Sequence, residues 1–133
     1  MELLEQRILH DGTHIGTEIV KVDSFLNHQL DIRLFNELGK EIRRRFADVE
    51  VNKILTIESS GIGVAAIASI YFDYIPVVFA KKTSPNTMTE EFYGAPVKSF
   101  TKGTVSIARV AKQYLSAADK VLSIDVFMAH GEA

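Results

Sequence analysis

The stretch Lys53-Ile54-Leu55-Thr56-Ile57-Glu58-Ser59-Ser60-Gly61-Ile62-Gly63-Val64-Ala65-Ala66-Ile67-Ala68-Ser69-Ile70-Tyr71-Phe72 decides how this chain is read. Residues 53–57 are a short apolar run of strand length. Residues 58–63 are mostly small, carry two glycines and form a turn. Residues 64–72 are nearly all apolar and Ala-rich, as a buried helix is. Pro76-Val77-Val78-Phe79-Ala80 then supplies a second strand, with proline at the position where a strand tolerates it. Strand, Gly-bearing turn, apolar helix and strand make a βαβ unit. Neither strand alternates with polar residues, so both faces are expected to be covered, as in a parallel sheet. The fold class expected is α/β, a parallel-sheet core with flanking helices.

N-terminal to this unit, Asp31 is placed as the N-cap of a helix. Within that helix Leu34, Leu38, Ile42 and Phe46 repeat every fourth residue, with Ile32 and Phe35 beside them on one apolar face. Arg43-Arg44-Arg45 lies at its C-terminal end, where cations suit the helix dipole. Residues 3–9 read as a short amphipathic helix stopped by Asp11-Gly12, and Ile19-Val20 with Val22 as a short extended piece. Beyond the βαβ unit, residues 81–94 are polar and aperiodic, a loop of a length that is usually functional. Residues 97–101 and 105–110 read as a hairpin around Lys102-Gly103-Thr104. A turn at 116–120 leads to a strand over 121–124, which ends in Asp125 and a small, Gly-containing turn.

The chain has 133 residues, 47% hydrophobic and 24% charged, which fits one globular domain. Fifteen basic and seventeen acidic residues leave a net charge of -2, against the basic excess of a general nucleic-acid binder, so no nucleic-acid partner is expected. There is no cysteine, hence no disulfide framework and no thiolate metal site. No apolar run approaches the roughly 20 residues of a membrane span, and the acidic start Met1-Glu2-Leu3-Leu4-Glu5 lacks a signal peptide's basic region. The expectation is a cytoplasmic protein without a membrane partner.

Three loops follow three strands expected to be parallel, at 58–63, 81–94 and 125–133. Loops at the carboxyl ends of such strands converge on one ligand site. The first offers hydroxyls and backbone N–H groups before a helix, which suits an anion. The second offers Lys81 and Lys82, point charges suited to phosphates. The third offers Asp125 for sugar hydroxyls or a cation, then a turn that lets backbone N–H groups approach a phosphate. Together they describe a site for a phosphorylated sugar. There is no G-x-x-x-x-G-K-[ST] loop, and Gly61-Ile62-Gly63 lacks the third glycine of a dinucleotide fingerprint. His10, His14, His28 and His130 show no metal-ligand spacing, and Met88 and Met128 read as packing residues.

Val121-Leu122-Ser123-Ile124-Asp125-Val126-Phe127-Met128-Ala129-His130-Gly131-Glu132-Ala133 resembles the phosphoribosyl-diphosphate (PRPP) motif of the type I phosphoribosyltransferase family. Within that family the chain is similar to the bacterial xanthine-using branch. Lys21-Val22-Asp23-Ser24-Phe25-Leu26-Asn27-His28-Gln29 resembles its N-terminal signature, Thr56 to Ile62 and residues 76–80 resemble its core, and Ser99-Phe100-Thr101-Lys102 resembles the segment after the family's mobile loop. The resemblance runs from near residue 1 to 133. It implies a type I phosphoribosyltransferase domain with an N-terminal hood segment at about residues 1–30 and a core at about 31–133. It implies transfer of 5-phosphoribose from PRPP to xanthine in purine salvage, with Mg²⁺ carried by PRPP and a homodimeric assembly. By the same resemblance Val20 and Asn27 contact xanthine. Ala129, His130, Gly131, Glu132, Ala133 and Asp125 bind PRPP, and Ser59, Ser60 and Lys81 face the pyrophosphate. Some relatives place an acidic base where Ala129 stands, so no catalytic residue is assigned. Local residues alone leave xanthine, guanine and hypoxanthine open; the resemblance implies xanthine.

Two positions depart from the family pattern. Its two adjacent acids are here Asp125 and Val126, and its asparagine before the glycine is His130. The family also continues for several dozen residues beyond this point, so the chain is expected to be C-terminally incomplete, with impaired turnover. The competing expectations are a non-catalytic regulator that senses PRPP or purines and an inactive fragment of the enzyme.

Overall fold

The computed structural model describes residues 1–15, 19–83, 91–98 and 105–126. The elements in chain order are α1 (Glu2–Asp11), β1 (Thr13–Ile15), β2 (Ile19–Lys21), a π-helical turn (Asp23–Asn27), α2 (Ile32–Arg45), β3 (Lys53–Ile57), α3 (Ile62–Ile70), β4 (Val77–Thr83), β5 (Phe92–Lys98), β6 (Val105–Ala111), a 3-10 turn (Lys112–Tyr114) and β7 (Val121–Ser123). The βαβ unit is present: β3 pairs in parallel with β4, Ile54 opposite Val77 and Ile57 opposite Ala80. β7 joins the other side of β3 in parallel, Lys53 opposite Val121 and Leu55 opposite Ser123. The five-stranded order is β5-β6-β4-β3-β7. β1 and β2 form a separate antiparallel pair.

The parallel core is thus extended by an antiparallel hairpin into a mixed sheet. β4 continues through Lys81, Lys82 and Thr83 because β6 offers partners there, Lys81 opposite Arg109 and Thr83 opposite Ile107. β5 begins at Phe92, opposite Ala111, rather than at residue 97. The loop expected over 81–94 therefore loses its two ends to strands, and residues 84–90 lie outside the described residues. The hairpin at 97–110 is found with earlier bounds, its turn at 102–104 also outside them. Pro96 is accommodated because β5 ends the described sheet order and one of its edges needs no donor.

Asp31 caps α2, its carboxylate accepting from the Leu34 N–H at 3.1 Å. Leu34 and Phe35 are buried, but Ile32 is 55% exposed and Phe46, just past the helix, is 38% exposed, so the apolar face is narrower than its periodicity implies. α2 crosses α3 at Gly39, where an added Cβ would lie 3.2 Å from the Ala68 Cα. α3 ends at Ile70, two residues before its expected end. Asp73 and Tyr74 follow at positive φ as the chain turns into β4.

The main core joins Phe25, Leu26, Leu34, Phe35, Val64, Ala65 and Ala68 to Ile54, Leu122 and Ile124 on the sheet. The opposite face holds a smaller cluster of Ala80, Ala108 and Val110 with Leu55, Ile57 and Val78. β3 alternates between buried and half-buried side chains. The helices described here cover one face, and the unbroken apolar strands reflect an apolar cluster on each face.

Candidate functional site

The site is built where β3, β4 and β7 end. β3 terminates because the chain turns at Glu58-Ser59-Ser60-Gly61, whose small residues allow a tight entry into α3. The Ile62 N–H donates to the Ser59 carbonyl at 3.2 Å and the Ala65 N–H to the Gly61 carbonyl at 3.0 Å. No side chain caps α3 at Gly61. Its first N–H groups therefore face the turn without a capping side chain, the arrangement that suits an anion. Ser59 is exposed and Ser60 half-buried, with a cis peptide between Glu58 and Ser59.

Two contacts bind this turn to the neighbouring strand ends. The Glu58 N–H donates to the Ala80 carbonyl at 3.0 Å, and the Lys82 N–H donates to the Glu58 carboxylate at 2.6 Å. The turn therefore stands directly beside Lys81 and Lys82, both exposed. The Lys81 Nζ lies 6.0 Å from the centre of the Phe79 ring. Opposite Lys81, Arg109 is buried with its guanidinium 4.2 Å from the Phe92 ring centre. On the β7 side the Ile124 N–H donates to the Leu55 carbonyl at 2.9 Å. A Cβ at Gly61 would lie 3.4 Å from the Ile124 carbonyl oxygen.

The loop after β7 is described as far as Val126. Asp125 is exposed, its carboxylate accepting from the Val126 N–H at 2.8 Å. The Val126 side chain packs against the main core. That packing gives the departure from two adjacent acids a structural role. Ala129, His130, Gly131, Glu132 and Ala133 lie outside the described residues, as does Ser99-Phe100-Thr101-Lys102.

The remaining expected contacts come from the N-terminal third. Asn27 ends the π-helical turn and is exposed; Val20 lies in β2 opposite His14. The turn is fixed by its buried Phe25 and Leu26 and by the Asp31 N–H donating to the Phe25 carbonyl at 3.0 Å. Arg7 braces it from α1, donating to Asp31 at 2.6 Å and to Asp11 at 2.7 Å, with its guanidinium 4.8 Å from the Phe25 ring centre. The Arg7 guanidinium, helped by the Leu34 N–H, holds the Asp31 carboxyl below its ordinary range. Leu30 reaches the start of α3, where a Cβ at Gly63 would lie 3.2 Å from its Cδ1. The segment that follows Asn27 is thereby seated against the first turn of α3.

Ser59, Ser60, Lys81 and Asp125 are thus brought to one end of the sheet, with the Asn27 segment against α3. Sequence reasoning assigned no role to Glu58 or Thr56. Thr56 is buried below Gly61 on the helix side of β3. Period-two alternation from Ile54 could have placed it there; the bond from Lys82 to Glu58 has no local signal. Among the described residues no three His, Cys, Asp or Glu side chains gather to hold a metal. Glu58 and Asp125 each accept a backbone N–H instead. These donors do not form a cage for a resident cation. No described helix is long and apolar enough to cross a membrane.

No family model matches the chain. A xanthine phosphoribosyltransferase of Ruminiclostridium cellulolyticum is 56% identical over 133 residues, covering 100% of this chain and 70% of the relative. Among solved structures, an adenine phosphoribosyltransferase of Saccharomyces cerevisiae aligns with a TM-score of 0.66 at 15% identity, over 92% of this chain and 71% of that one. An adenine phosphoribosyltransferase of Giardia lamblia aligns with a TM-score of 0.57 at 19% identity, over 69% of this chain; the match spans about half of that protein, 49%. At such identities the structures speak for the fold alone.

Proposed function

Because the chain belongs to the xanthine phosphoribosyltransferase family, we propose that it transfers the 5-phosphoribosyl group of PRPP to xanthine in purine salvage. The bond from the ribose C1 to the diphosphate oxygen breaks, and a bond from C1 to the purine nitrogen forms. That nitrogen loses its proton to solvent, and xanthosine 5′-monophosphate and pyrophosphate are released. Ser59, Ser60 and Lys81 hold the departing diphosphate, Asp125 takes the ribose hydroxyls, and Ala129, His130, Gly131, Glu132 and Ala133 hold the 5′-phosphate. Val20 and Asn27 face the base from a hood formed by residues 1–30. Mg²⁺ enters as part of the Mg²⁺-PRPP substrate and neutralises diphosphate charge. Catalysis on this reading is positioning and charge stabilisation rather than action of a protein base. The protein is taken as a cytoplasmic homodimer with no nucleic-acid partner.

The observation that most supports the reading is the tie between the Ser59-Ser60 turn and the Lys81-Lys82 pair through Glu58 at 2.6 Å. It holds the hydroxyl-bearing turn before α3 beside a strand end that carries the exposed Lys81 and Lys82, and hydroxyls, helix N–H groups and a lysine suit a diphosphate. The test is nucleotide formation from Mg²⁺-PRPP with xanthine, guanine, hypoxanthine and adenine in turn, followed by chromatography. Xanthine is expected to give the highest kcat/KM. Faster conversion of adenine would contradict the assignment.

A further inference from the structure

The ladder between β3 and β4 shows an exchange of partners at its end. Ile54 donates to the Pro76 carbonyl and Glu58 to the Ala80 carbonyl, each at 3.0 Å, which fixes the register. In a parallel pair the next rung runs from the Lys82 N–H to the main-chain carbonyl of Glu58. That donor instead meets the Glu58 side chain at 2.6 Å. The carboxylate takes over the rung while the main chain turns away toward Ser59. An acid beside a diphosphate repels it, so its presence in this turn calls for a structural reason, and the Lys82 N–H supplies one.

Resting on the phosphoribosyl-transfer reading above, we propose that Glu58 is a positioning residue: its side chain sets the distance between the Ser59-Ser60 turn and Lys81-Lys82, and thereby the grip on the diphosphate. The role needs an acceptor oxygen at the right reach, not a charge. A glutamine offers the same carbonyl oxygen at the same length. An aspartate keeps the charge but is one methylene shorter, and an alanine has neither.

The test compares the full chain with Glu58→Gln, Glu58→Asp and Glu58→Ala. Mg²⁺-pyrophosphate and Mg²⁺-PRPP are titrated calorimetrically, and amide exchange at Lys82 is read by NMR. Glu58→Gln is expected to keep the Lys82 amide protected and bind both probes within about threefold of the parent, because the hydrogen bond survives. Glu58→Asp and Glu58→Ala are expected to lose that protection and weaken both probes by roughly tenfold or more. Equal binding by Glu58→Ala overturns the proposal. So does Glu58→Gln as weak as Glu58→Ala, since the charge would then act on the ligand directly. If the parent chain binds neither probe, the phosphoribosyl-transfer reading falls. The Lys82 amide still decides the spacing role, and unchanged protection in Glu58→Asp and Glu58→Ala would overturn it.

Discussion

Gly61 is required by space rather than by backbone freedom. Its φ of -82 is open to any residue, yet an added methyl carbon would lie 2.1 Å from the Thr56 Oγ1. That hydroxyl is buried and has no hydrogen-bond partner among the described residues. Gly61→Ala is therefore expected to push the Ser59-Ser60 turn outward and weaken Mg²⁺-PRPP binding by roughly tenfold or more. Adding Thr56→Ala removes the obstructing oxygen and is expected to recover much of that loss; calorimetric titration of the single and double variants checks both. The turn itself was legible, because serines and glycines before an apolar run have few other readings. The contact that demands Gly61 was not. It depends on Thr56 lying on the helix side of β3, and on how closely α3 descends to the sheet.

At the scale of elements, β3, α3 and the first half of β4 were legible because their apolar runs are bounded by Gly, Ser and Pro. The continuation of β4 through Lys81-Lys82-Thr83 was not, since those residues are strand only because β6 pairs with them. The π-helical turn at Asp23–Asn27 is likewise fixed from outside, by Arg7 and Asp31. β7 is short and is anchored to β3 by a polar latch. Asp119 accepts from the Ser116 N–H at 2.8 Å and from Asn52 at 3.0 Å, and pairs with Lys53 at 3.1 Å. These contacts, the Ser116 N–H first, lower its carboxyl from the ordinary 3.8 to about 2. A carboxyl lowered in the folded state stabilises the fold above the unfolded value and loses that contribution as pH falls. The latch is thus fully effective above pH 3.8 and released as pH drops toward about 2. Asp119→Asn is expected to melt lower than the parent at neutral pH, with the gap closing across that window. Melting temperatures measured across the window check it, and a constant gap would show that the charge of Asp119 is not the source.

For the whole molecule, the sheet brings the ends of β3, β4 and β7 to one side, which is where the proposed function puts the diphosphate and the ribose. The most direct measurement is the thermal melt of this chain alone and with Mg²⁺-PRPP. A ligand that binds only the folded state stabilises it by about 2.7 kcal/mol at a hundred times its Kd. A cooperative transition that rises as Mg²⁺-PRPP is added is expected, with a smaller rise when Lys81 is replaced by alanine. A cooperative transition that stays in place at saturating Mg²⁺-PRPP would contradict that expectation.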